Sequence, residues 1–335
     1  MFAIDPSCYR PLAWRNLLAL ATPWLLLTAS ANALPAAGYR VDLIPSQPGA
    51  TSTSVRGVDA AGRVLGYWNF FSQPFPRPIG AEPDDEGYFL WDSGTSTPLT
   101  IPGLTDMNIH RMNVSGAMWG RSNEGAFVYR DGNLSILQSP ATDVTLVQGV
   151  DGSGRIYGIL GNYPAGVDPD DPLVPIEPVS NFVWENGVFS DLNLLLADAI
   201  VHGVRQDGTL WGANAEVSFL QDGANLTILD HPDFDYTGVL MSTAAGEAFG
   251  FALTLHEDLT TDSSHFFWDP LGGFQEWPRG ANLPGTDVSP AAMNERGVFW
   301  GFGLDGAFVA TPIPEPSTAA LLALGLAMLR RRSTA

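Results

Sequence analysis

Lysine is absent from this sequence, and cysteine occurs only once. All 16 basic residues are arginine, and 36 acidic residues outnumber them, so the formal net charge is −20. A chain this acidic repels phosphate backbones, and we therefore expect no nucleic-acid partner. The single cysteine, Cys8, lies in a segment with the features of a signal peptide. Once that segment is removed, the protein has no disulfide, no thiolate metal site and no cysteine nucleophile.

Motifs of the common enzyme classes are also missing from the sequence. It contains no G-x-S-x-G, no H-E-x-x-H, no Walker loop and no dinucleotide fingerprint. Its five histidines are scattered along the chain at His110, His202, His231, His256 and His265. We therefore predict a protein without catalytic activity. Two carboxylates from different repeats could still meet and cleave a glycan, and such convergence leaves no local motif, so a secreted glycoside hydrolase or lyase is the alternative.

The first 33 residues follow the order of a secretory signal peptide. Arg10 and Arg15 precede an apolar stretch at residues 17–27, and the small-residue triplet Ala31-Asn32-Ala33 follows it. This order predicts export with cleavage before Leu34. A retained membrane anchor is the alternative, and it is disfavoured because the apolar run is shorter than the roughly 20 residues that span a bilayer.

Residues 312–335 form a second targeting segment. Pro314, Glu315 and Pro316 precede an apolar run at residues 319–329, and the chain then continues with Arg330, Arg331 and Arg332. This order of Pro-rich motif, short apolar helix and arginine cluster resembles the PEP-CTERM sorting tail of Gram-negative bacteria. The resemblance implies that an integral membrane exosortase recognises and removes the tail. The arginines hold the end of the chain on the cytoplasmic side while the apolar helix anchors the protein transiently in the inner membrane.

Residues 34–311, between these segments, contain six repeats of about 46 residues. A first marker consists of Gly, two residues, a large apolar residue and Gly, and its opening glycines are Gly62, Gly116, Gly154, Gly208, Gly246 and Gly297. Three residues before these glycines stand Asp59, Asn113, Asp151, Arg205, Thr243 and Asn294. Because Asn or Asp shortly before Gly is typical of a tight turn, each marker predicts a β-hairpin. We interpret Asp59 and Asp151 as turn-forming residues.

A second marker, centred on phenylalanine, follows each of the first. Its six members are Phe89, Phe127, Phe182, Phe219, Phe266 and Phe308. Most of them run into a turn such as Asn186-Gly187, which indicates a further hairpin. Two hairpins, or four strands, in about 46 residues match the size of one propeller blade. The sequence therefore predicts an all-β fold, a six-bladed β-propeller over residues 34–311.

The two ends of the repeat domain are complementary. The last unit stops after Phe308 without a fourth strand, whereas a spare strand at residues 39–45 precedes the first unit. We predict that Val41–Ile44 pairs with Phe308–Thr311 and closes the ring. Closure of this kind hides two sheet edges that would otherwise be open to other chains.

The paired markers resemble the extracellular HAF repeat, which joins an Asn-x-x-Gly turn to a His-Ala-Phe-x-Trp strand. Ala126-Phe127 and Ala307-Phe308 keep the Ala-Phe pair, and His265 keeps the histidine. This resemblance brings no catalytic residue with it. PEP-CTERM proteins are generally linked to exopolysaccharide and biofilm. The resemblances therefore imply a structural or glycan-binding role at the cell surface or in the extracellular matrix, with extracellular polysaccharide as a partner.

Three connections within the repeats are long and acidic, at residues 69–86, 162–180 and 254–264. They belong to the first, third and fifth units, so we expect them to alternate around one rim of the ring. Ca²⁺ takes six to eight oxygen ligands and tolerates irregular geometry. The candidate calcium ligands are Asp84, Asp85, Asp168, Asp170 and Asp171. None of the loops has the D-x-[DN]-x-[DN]-G pattern, and a solvated acidic rim without metal is the alternative.

Large aromatic residues recur at one position of the repeat, at Trp119, Tyr157, Trp211, Phe249 and Trp300. Recurrence at a fixed strand position favours packing between adjacent blades over stacking on a sugar. We therefore expect these side chains to be buried.

Overall fold

The computed structural model describes residues 39–72, 83–164, 176–256, 260–278, 288–303 and 306–313. The chain divides into the units Met1–Ala36 and Ala37–Ala335, and all described residues belong to the second. Within them every regular element is a strand, and no helix of membrane-spanning length and hydropathy occurs. The predicted signal peptide lies outside the described residues, as do Pro314–Pro316 and Arg330–Arg332 of the predicted sorting tail.

The described residues form six four-stranded antiparallel sheets, the blades of a propeller. Blade 1 contains β2 (Ser52–Val58), β3 (Val64–Phe70), β4 (Asp85–Asp92) and β5 (Thr95–Pro98). Blade 2 contains β6 (Asn108–Met112), β7 (Met118–Ser122), β8 (Gly125–Arg130) and β9 (Asn133–Leu137). Blade 3 contains β10 (Val144–Val150), β11 (Ile156–Asn162), β12 (Glu177–Glu185) and β13 (Val188–Asp191).

The remaining three blades have the same strand order. Blade 4 contains β14 (Ile200–Val204), β15 (Leu210–Ala213), β16 (Ser218–Asp222) and β17 (Asn225–Leu229). Blade 5 contains β18 (Tyr236–Ser242), β19 (Ala248–Leu255), β20 (Thr261–Asp269) and β21 (Gly273–Pro278). Blade 6 contains β22 (Val288–Met293), β23 (Phe299–Gly303), β24 (Gly306–Pro312) and β1 (Tyr39–Leu43). The predicted all-β fold with six blades is confirmed.

Blade 6 joins the two ends of the propeller. Strand β1 pairs antiparallel with β24, with Val41 opposite Ala310 and Leu43 opposite Phe308. The ladder begins at Tyr39, two residues earlier than predicted, and the backbone N–H of Ile44 extends it with a bond to the carbonyl of Ala307 at 2.9 Å. The predicted ring closure is therefore confirmed.

The two sequence markers are partners across one pair of strands. In every blade the second glycine of the first marker lies directly opposite the phenylalanine of the second marker: Gly66–Phe89, Gly120–Phe127, Gly158–Phe182, Gly212–Phe219, Gly250–Phe266 and Gly301–Phe308. These phenylalanines are at most 1% exposed. A Cβ atom on Gly66 would lie 2.1 Å from Cζ of Phe89, so the ring occupies the space that a larger residue would need. In blades 2 to 5 a Cβ on the equivalent glycine would first meet a backbone carbonyl oxygen of the first strand, so the close approach of the strands also requires glycine there.

The core lies between adjacent blades. Trp119 of blade 2 packs with Val147 and Val150 of blade 3, and Trp300 of blade 6 packs with Val55 of blade 1. All five recurrent aromatics are buried, as predicted: Trp119, Tyr157, Trp211, Phe249 and Trp300. The hydrophobic free energy of the fold is therefore gained at blade interfaces, and each blade depends on its neighbours.

The antiparallel order of each blade separates its connections onto two ends of the ring. The turns between first and second strands and between third and fourth strands share one end, here called the turn face. The connections between second and third strands share the other end, here called the loop face. Long and short loop-face connections alternate, as predicted, because β3–β4, β11–β12 and β19–β20 are separated by more residues than their counterparts.

The long connections are shorter than predicted, because the strands extend into them. Asp85 and Glu86 belong to β4, Glu177 belongs to β12, and Asp262 belongs to β20. These acidic residues take part in sheet ladders, in which successive side chains point to opposite faces of the sheet.

Candidate functional site in the central channel

The first strand of every blade surrounds the centre of the ring. A cavity at this centre is lined by residues from all six blades, including Arg111, Gln148 and Met241. Each first strand contains a bulge at the same position, and the extra residues are Arg56, His110, Gln148, His202, Leu240 and Ala291. A bulge increases the local twist of a strand and redirects the extra side chain. Four of these six positions carry a polar or charged side chain.

The acidic turn residues serve the fold. Oδ1 of Asp59 accepts the backbone N–H groups of Ala61 and Arg63, each at 2.9 Å, and Oδ2 pairs with the Arg63 guanidinium at 2.7 Å. Asp151 forms the equivalent contacts in blade 3. Burial alone would raise the pKa of Asp151, but hydrogen bonds from Ser153 and Arg155 lower it. The interpretation of both aspartates as turn formers is confirmed.

Neighbouring blades are joined at the turn face by two kinds of hydrogen bond that alternate around the ring. Side chains of blades 2, 4 and 6 donate to a carbonyl of the next blade, in the pairs Asn113–Val150 (3.0 Å), Arg205–Thr243 (2.6 Å) and Asn294–Val58 (3.1 Å). Backbone N–H groups of blades 1, 3 and 5 donate to a backbone carbonyl of the next blade, in the pairs Ala60–Val114, Gly152–Gln206 and Ala244–Glu295. All six turn residues therefore have structural roles.

Two carboxylates with contrasting pKa values lie at the turn-face end of the channel. Burial, with the negative charge of Asp207, raises the pKa of Glu295 to about 7, although the Gln206 N–H and Arg205 oppose the shift. The Gln206 N–H donates to Oε1 of Glu295 at 2.9 Å. Burial alone would raise the pKa of Asp207, but hydrogen bonds from Arg205 and Thr209 lower it to about 2. The cavity beside Glu295 holds about 30 Å³, the space of roughly one or two water molecules.

A larger cavity of about 400 Å³ lies on the loop-face side of the channel. Its walls include Ser54, Arg56, His110, Arg111 and Trp300, and no carboxylate is among its described lining residues. Ser54 and Arg56 precede the turn of blade 1 in β2, which places this cavity away from the turn face. Its volume falls in the range of pockets that bind small molecules.

Arginine charges dominate this cavity. Burial and the positive charges of Arg121, Arg56 and Arg111 lower the pKa of His110 to about 4, so the imidazole is neutral at physiological pH. Burial and the charge of Arg56 also lower the pKa of Arg111. His202 occupies the equivalent position in blade 4. Burial and the charge of Arg111 lower its pKa.

The predicted calcium ligands lie elsewhere. The Asp84 carboxylate accepts the Ser72 N–H, and its own N–H donates to the carbonyl of Phe70 at 2.9 Å. Asp85 is the first residue of β4 and lies opposite Phe70. The other three candidates, Asp168, Asp170 and Asp171, lie outside the described residues. Among the residues that the structure describes, no group of three or more His, Cys, Asp or Glu could hold a metal ion. Calcium binding stays a prediction.

Sequence reasoning missed Arg56, His110 and Arg111. A signal was nevertheless present, because the bulge residue stands three positions before each turn residue, for example Arg56 before Asp59. Alignment of the six repeats on their turns would have placed Arg56 and His110 at equivalent positions, with Arg111 directly after His110. The functional meaning of these positions depends on their neighbours in space, which the repeats do not encode.

No family model matches the chain, and no curated protein matches its sequence. Several solved structures are similar to this chain at low identity. The extracellular domain of BT4673 from B. thetaiotaomicron is 10% identical with a TM-score of 0.45, and the match covers 83% of this chain. The chain spans about 40% of that domain. The gluconolactonase XC5397 from Xanthomonas campestris is 14% identical with a TM-score of 0.45, over 85% of this chain and 94% of that one.

AofleA from Arthrobotrys oligospora is 7% identical with a TM-score of 0.39, over 82% of this chain and 86% of that one. These likenesses concern the fold alone.

The stability of the protein should respond to pH through Glu295 and His110 in opposite directions. The pKa of Glu295 is about 7 in the folded protein, against an ordinary value of 4.5. Glu295 therefore lowers the free energy of unfolding as the pH rises from 4.5 to 7. The pKa of His110 is about 4 in the folded protein, against an ordinary value of 6.5. His110 therefore lowers the free energy of unfolding as the pH falls from 6.5 to 4.

We expect Glu295→Gln to raise the free energy of unfolding at pH 8 by about 1–2 kcal/mol, after discounting for solvent screening of a partly exposed group. Because glutamine keeps the acceptor for the Gln206 N–H, the turn should stay intact. His110→Gln should instead raise stability near pH 5. Urea unfolding of both variants between pH 4 and 8 measures these effects. Parallel profiles for wild type and Glu295→Gln would contradict the assignment of Glu295.

Proposed function

We propose that this protein is an exported, non-enzymatic module that binds glycans of the cell surface or extracellular matrix. The observation that carries the proposal is the loop-face cavity of about 400 Å³, which combines Ser54, His110 and Trp300 with two arginines. Hydroxyl, imidazole and guanidinium groups suit the hydroxyl groups of a sugar. The absence of a carboxylate among its described lining residues favours binding over hydrolysis.

The proposed route to the surface rests on the two ends of the sequence. The N-terminal segment supports export, and the Pro314–Pro316 motif with its arginine cluster supports recognition by an exosortase. The protein is held in the inner membrane until the tail is removed, and it is then released to the cell surface or extracellular polymer. A propeller closed by its own N-terminal strand suits this exposure, since β1 covers the edge of β24 that would otherwise be open.

A glycan-processing enzyme is the second candidate, and the contrast between Glu295 and Asp207 is the observation that favours it. A protonated carboxyl near an ionised one is the arrangement used for general acid catalysis. Against this function, Asp207 is bonded to Arg205 and Thr209, and the cavity beside Glu295 is too small for a sugar ring. Release of reducing ends or unsaturated sugars by the wild-type protein, lost in Glu295→Gln, would establish the enzyme instead.

A glycan array probed with the purified protein tests the binding function. We expect retention on a subset of extracellular polysaccharides, with no cleavage of the retained glycan. Arrays run with Ca²⁺ and with a chelator also test the predicted calcium ligands. If glycan binding needs Ca²⁺, the double variant Asp84→Asn, Asp85→Asn should lose it. Failure to retain any glycan in either condition would overturn the proposed function.

The sorting tail predicts a defect in localisation. We expect Glu315→Ala, or removal of Arg330–Arg332, to leave the protein in the inner-membrane fraction, because the exosortase motif or the positive-inside signal is lost. Cell fractionation with an antibody to the propeller measures the distribution. Ser333→Ala, beyond the arginine cluster, serves as the control. Unchanged release of both tail variants would contradict the sorting proposal and leave the propeller itself unaffected.

A further inference from the structure

Three arginines near the loop-face cavity have no carboxylate partner among the described residues. The ion pairs of the described chain engage Arg40, Arg63, Arg130, Arg155 and Arg205. Arg56, Arg111 and Arg121 form none, although the chain carries 36 acidic residues and a net charge of −20. With acidic side chains in such excess, half-buried guanidinium groups without a carboxylate partner call for a specific explanation.

The guanidinium groups of Arg56 and Arg111 have few hydrogen-bond acceptors. Nε of Arg56 is buried without an acceptor. Within the described part of the chain, Arg111 donates only to the sulfur of Met241, at 3.4 Å from Nη1, and a thioether is a weak acceptor. A guanidinium carries five N–H donors, and a buried donor such as Nε of Arg56 is costly when it has no acceptor. The two side chains also share one cavity, where their charges repel each other.

Two carboxylates of the described chain, Glu86 and Glu295, form hydrogen bonds to other groups. Glu86 accepts the Tyr67 hydroxyl, and the guanidinium of Arg56 lies 5.1 Å from the centre of the Tyr67 ring. Glu295 lines the smaller central cavity, as Arg56 and Arg111 also do, and it forms no ion pair among the described residues; its Oε1 accepts the Gln206 N–H. The cavity thus presents two cations, a neutral imidazole and no internal counter-ion among its described lining residues. Such a site is complementary to an anion from outside the chain.

We propose that Arg56 and Arg111 form a binding site for an acidic sugar, whose carboxylate or sulfate oxygens pair with the two guanidinium groups. The proposal rests on the proposed glycan-binding function and names its ligand class. Guanidinium forks bind such oxyanions through two parallel hydrogen bonds. A cavity of about 400 Å³ accommodates a sugar ring beside the anionic group, with Ser54 and Trp300 on its walls.

Binding of the anion has a direct consequence for His110. The positive charges of Arg121, Arg56 and Arg111 contribute to its low pKa, and a bound anion offsets them. The pKa of His110 should therefore rise when the acidic sugar binds. Imidazole resonances in NMR spectra report this change independently of affinity.

Calorimetry of the full chain with a defined tetrasaccharide of galacturonic acid tests the proposal. Its methyl-esterified form is the matched neutral probe, because it keeps the sugar and removes the charge. A sulfated tetrasaccharide separates sulfate from carboxylate recognition, and inorganic sulfate tests for binding of any anion. We expect the acidic tetrasaccharide to bind at least 10-fold more tightly than its methyl ester.

Two variants assign the site. Arg56→Gln and Arg111→Gln should each weaken the acidic tetrasaccharide roughly 10- to 100-fold, the range for loss of charged hydrogen bonds. Arg40→Gln is the matched control, since Arg40 lies on the outer strand β1 with an exposed side chain. Neither channel variant should lower the melting temperature of the unliganded protein, because each removes like-charge repulsion. If a variant fails to fold, the rise in the pKa of His110 in the wild type decides the outcome.

The outcomes separate this inference from the proposed function. Retention of neutral glycans with no preference for the acidic tetrasaccharide would overturn the anion site and leave glycan binding standing. Equal affinity for inorganic sulfate and both acidic sugars would also overturn it, because the sugar would play no part. Failure to bind any glycan would overturn both proposals.

Discussion

Replacement of residues 39–44 by a Gly-Ser segment of equal length is expected to abolish cooperative folding of the propeller. The change removes the buried side chains of Tyr39 and Ile44, and its low strand propensity weakens the ladder between β1 and β24. Burial of two large side chains contributes about 3–6 kcal/mol, and each lost ladder bond adds roughly 1 kcal/mol. The total approaches the free energy of unfolding of a typical domain. Thermal unfolding followed by circular dichroism, with light scattering for aggregation, measures the loss.

Replacement of Ser46–Gly49 by the same kind of segment is the matched control, since these residues follow β1 and belong to no strand. That control should melt within a few degrees of the wild type. The exposed edge of β24 in the β1 variant should also promote association between chains. A β1 variant that stays monomeric and melts at the wild-type temperature would show that ring closure is unimportant for stability.

Gly66→Ala is expected to destabilise the protein by several kcal/mol, because the new methyl group meets the Phe89 ring. The three atoms nearest to a Cβ on Gly66 all belong to that ring, at 2.1–2.5 Å. Phe89→Ala should cost about 3–5 kcal/mol, since the ring is 1% exposed and its removal leaves a cavity. In the double variant the clash disappears. We therefore expect the double variant to lose less stability than the sum of the single changes.

Urea unfolding of the four proteins in this cycle measures the coupling free energy, which we expect at about 1–3 kcal/mol. The same cycle at Gly158 and Phe182 serves as a contrast. There a Cβ would also lie 2.0 Å from the carbonyl oxygen of Leu146, so removal of the ring cannot relieve the whole clash. Additive effects at Gly66 and Phe89 would mean that the glycine is required by the backbone and not by the ring.

Much of the fold could be predicted because its signals are local. Asp59 and Gly62 define a turn within four residues, and the structure places the Asp59 carboxylate on the backbone N–H groups of that turn. The pairing of Val41 with Ala310 was predictable although 269 residues separate them. The last blade is one strand short, and a spare strand precedes the first blade. Pairing of the two is the arrangement that hides the open edges of both strands.

The loop boundaries were predicted less well. Asp85 and Glu177 read as loop residues because acidic residues are rare in strands. The structure extends β4 and β12 over them, since the partner strands β3 and β11 continue to offer backbone hydrogen bonds. Backbone pairing outweighs the weak preference of a single side chain at a solvent-exposed strand end.

The sequence by itself determined the repeat, the number of blades, the closing strand and the burial of the recurrent aromatics. Turn chemistry and strand periodicity act over a few residues, and the repetition of one pattern six times removes the ambiguity of any single copy. Only the tertiary structure decided that Arg56, His110 and Arg111 share a cavity without a described carboxylate. Their role depends on distances between two inner strands, β2 and β6, that lie about 50 residues apart in the chain. It also depends on the lack of a carboxylate among the described residues that line the loop-face cavity. Composition, which is strongly acidic, pointed away from a cationic channel.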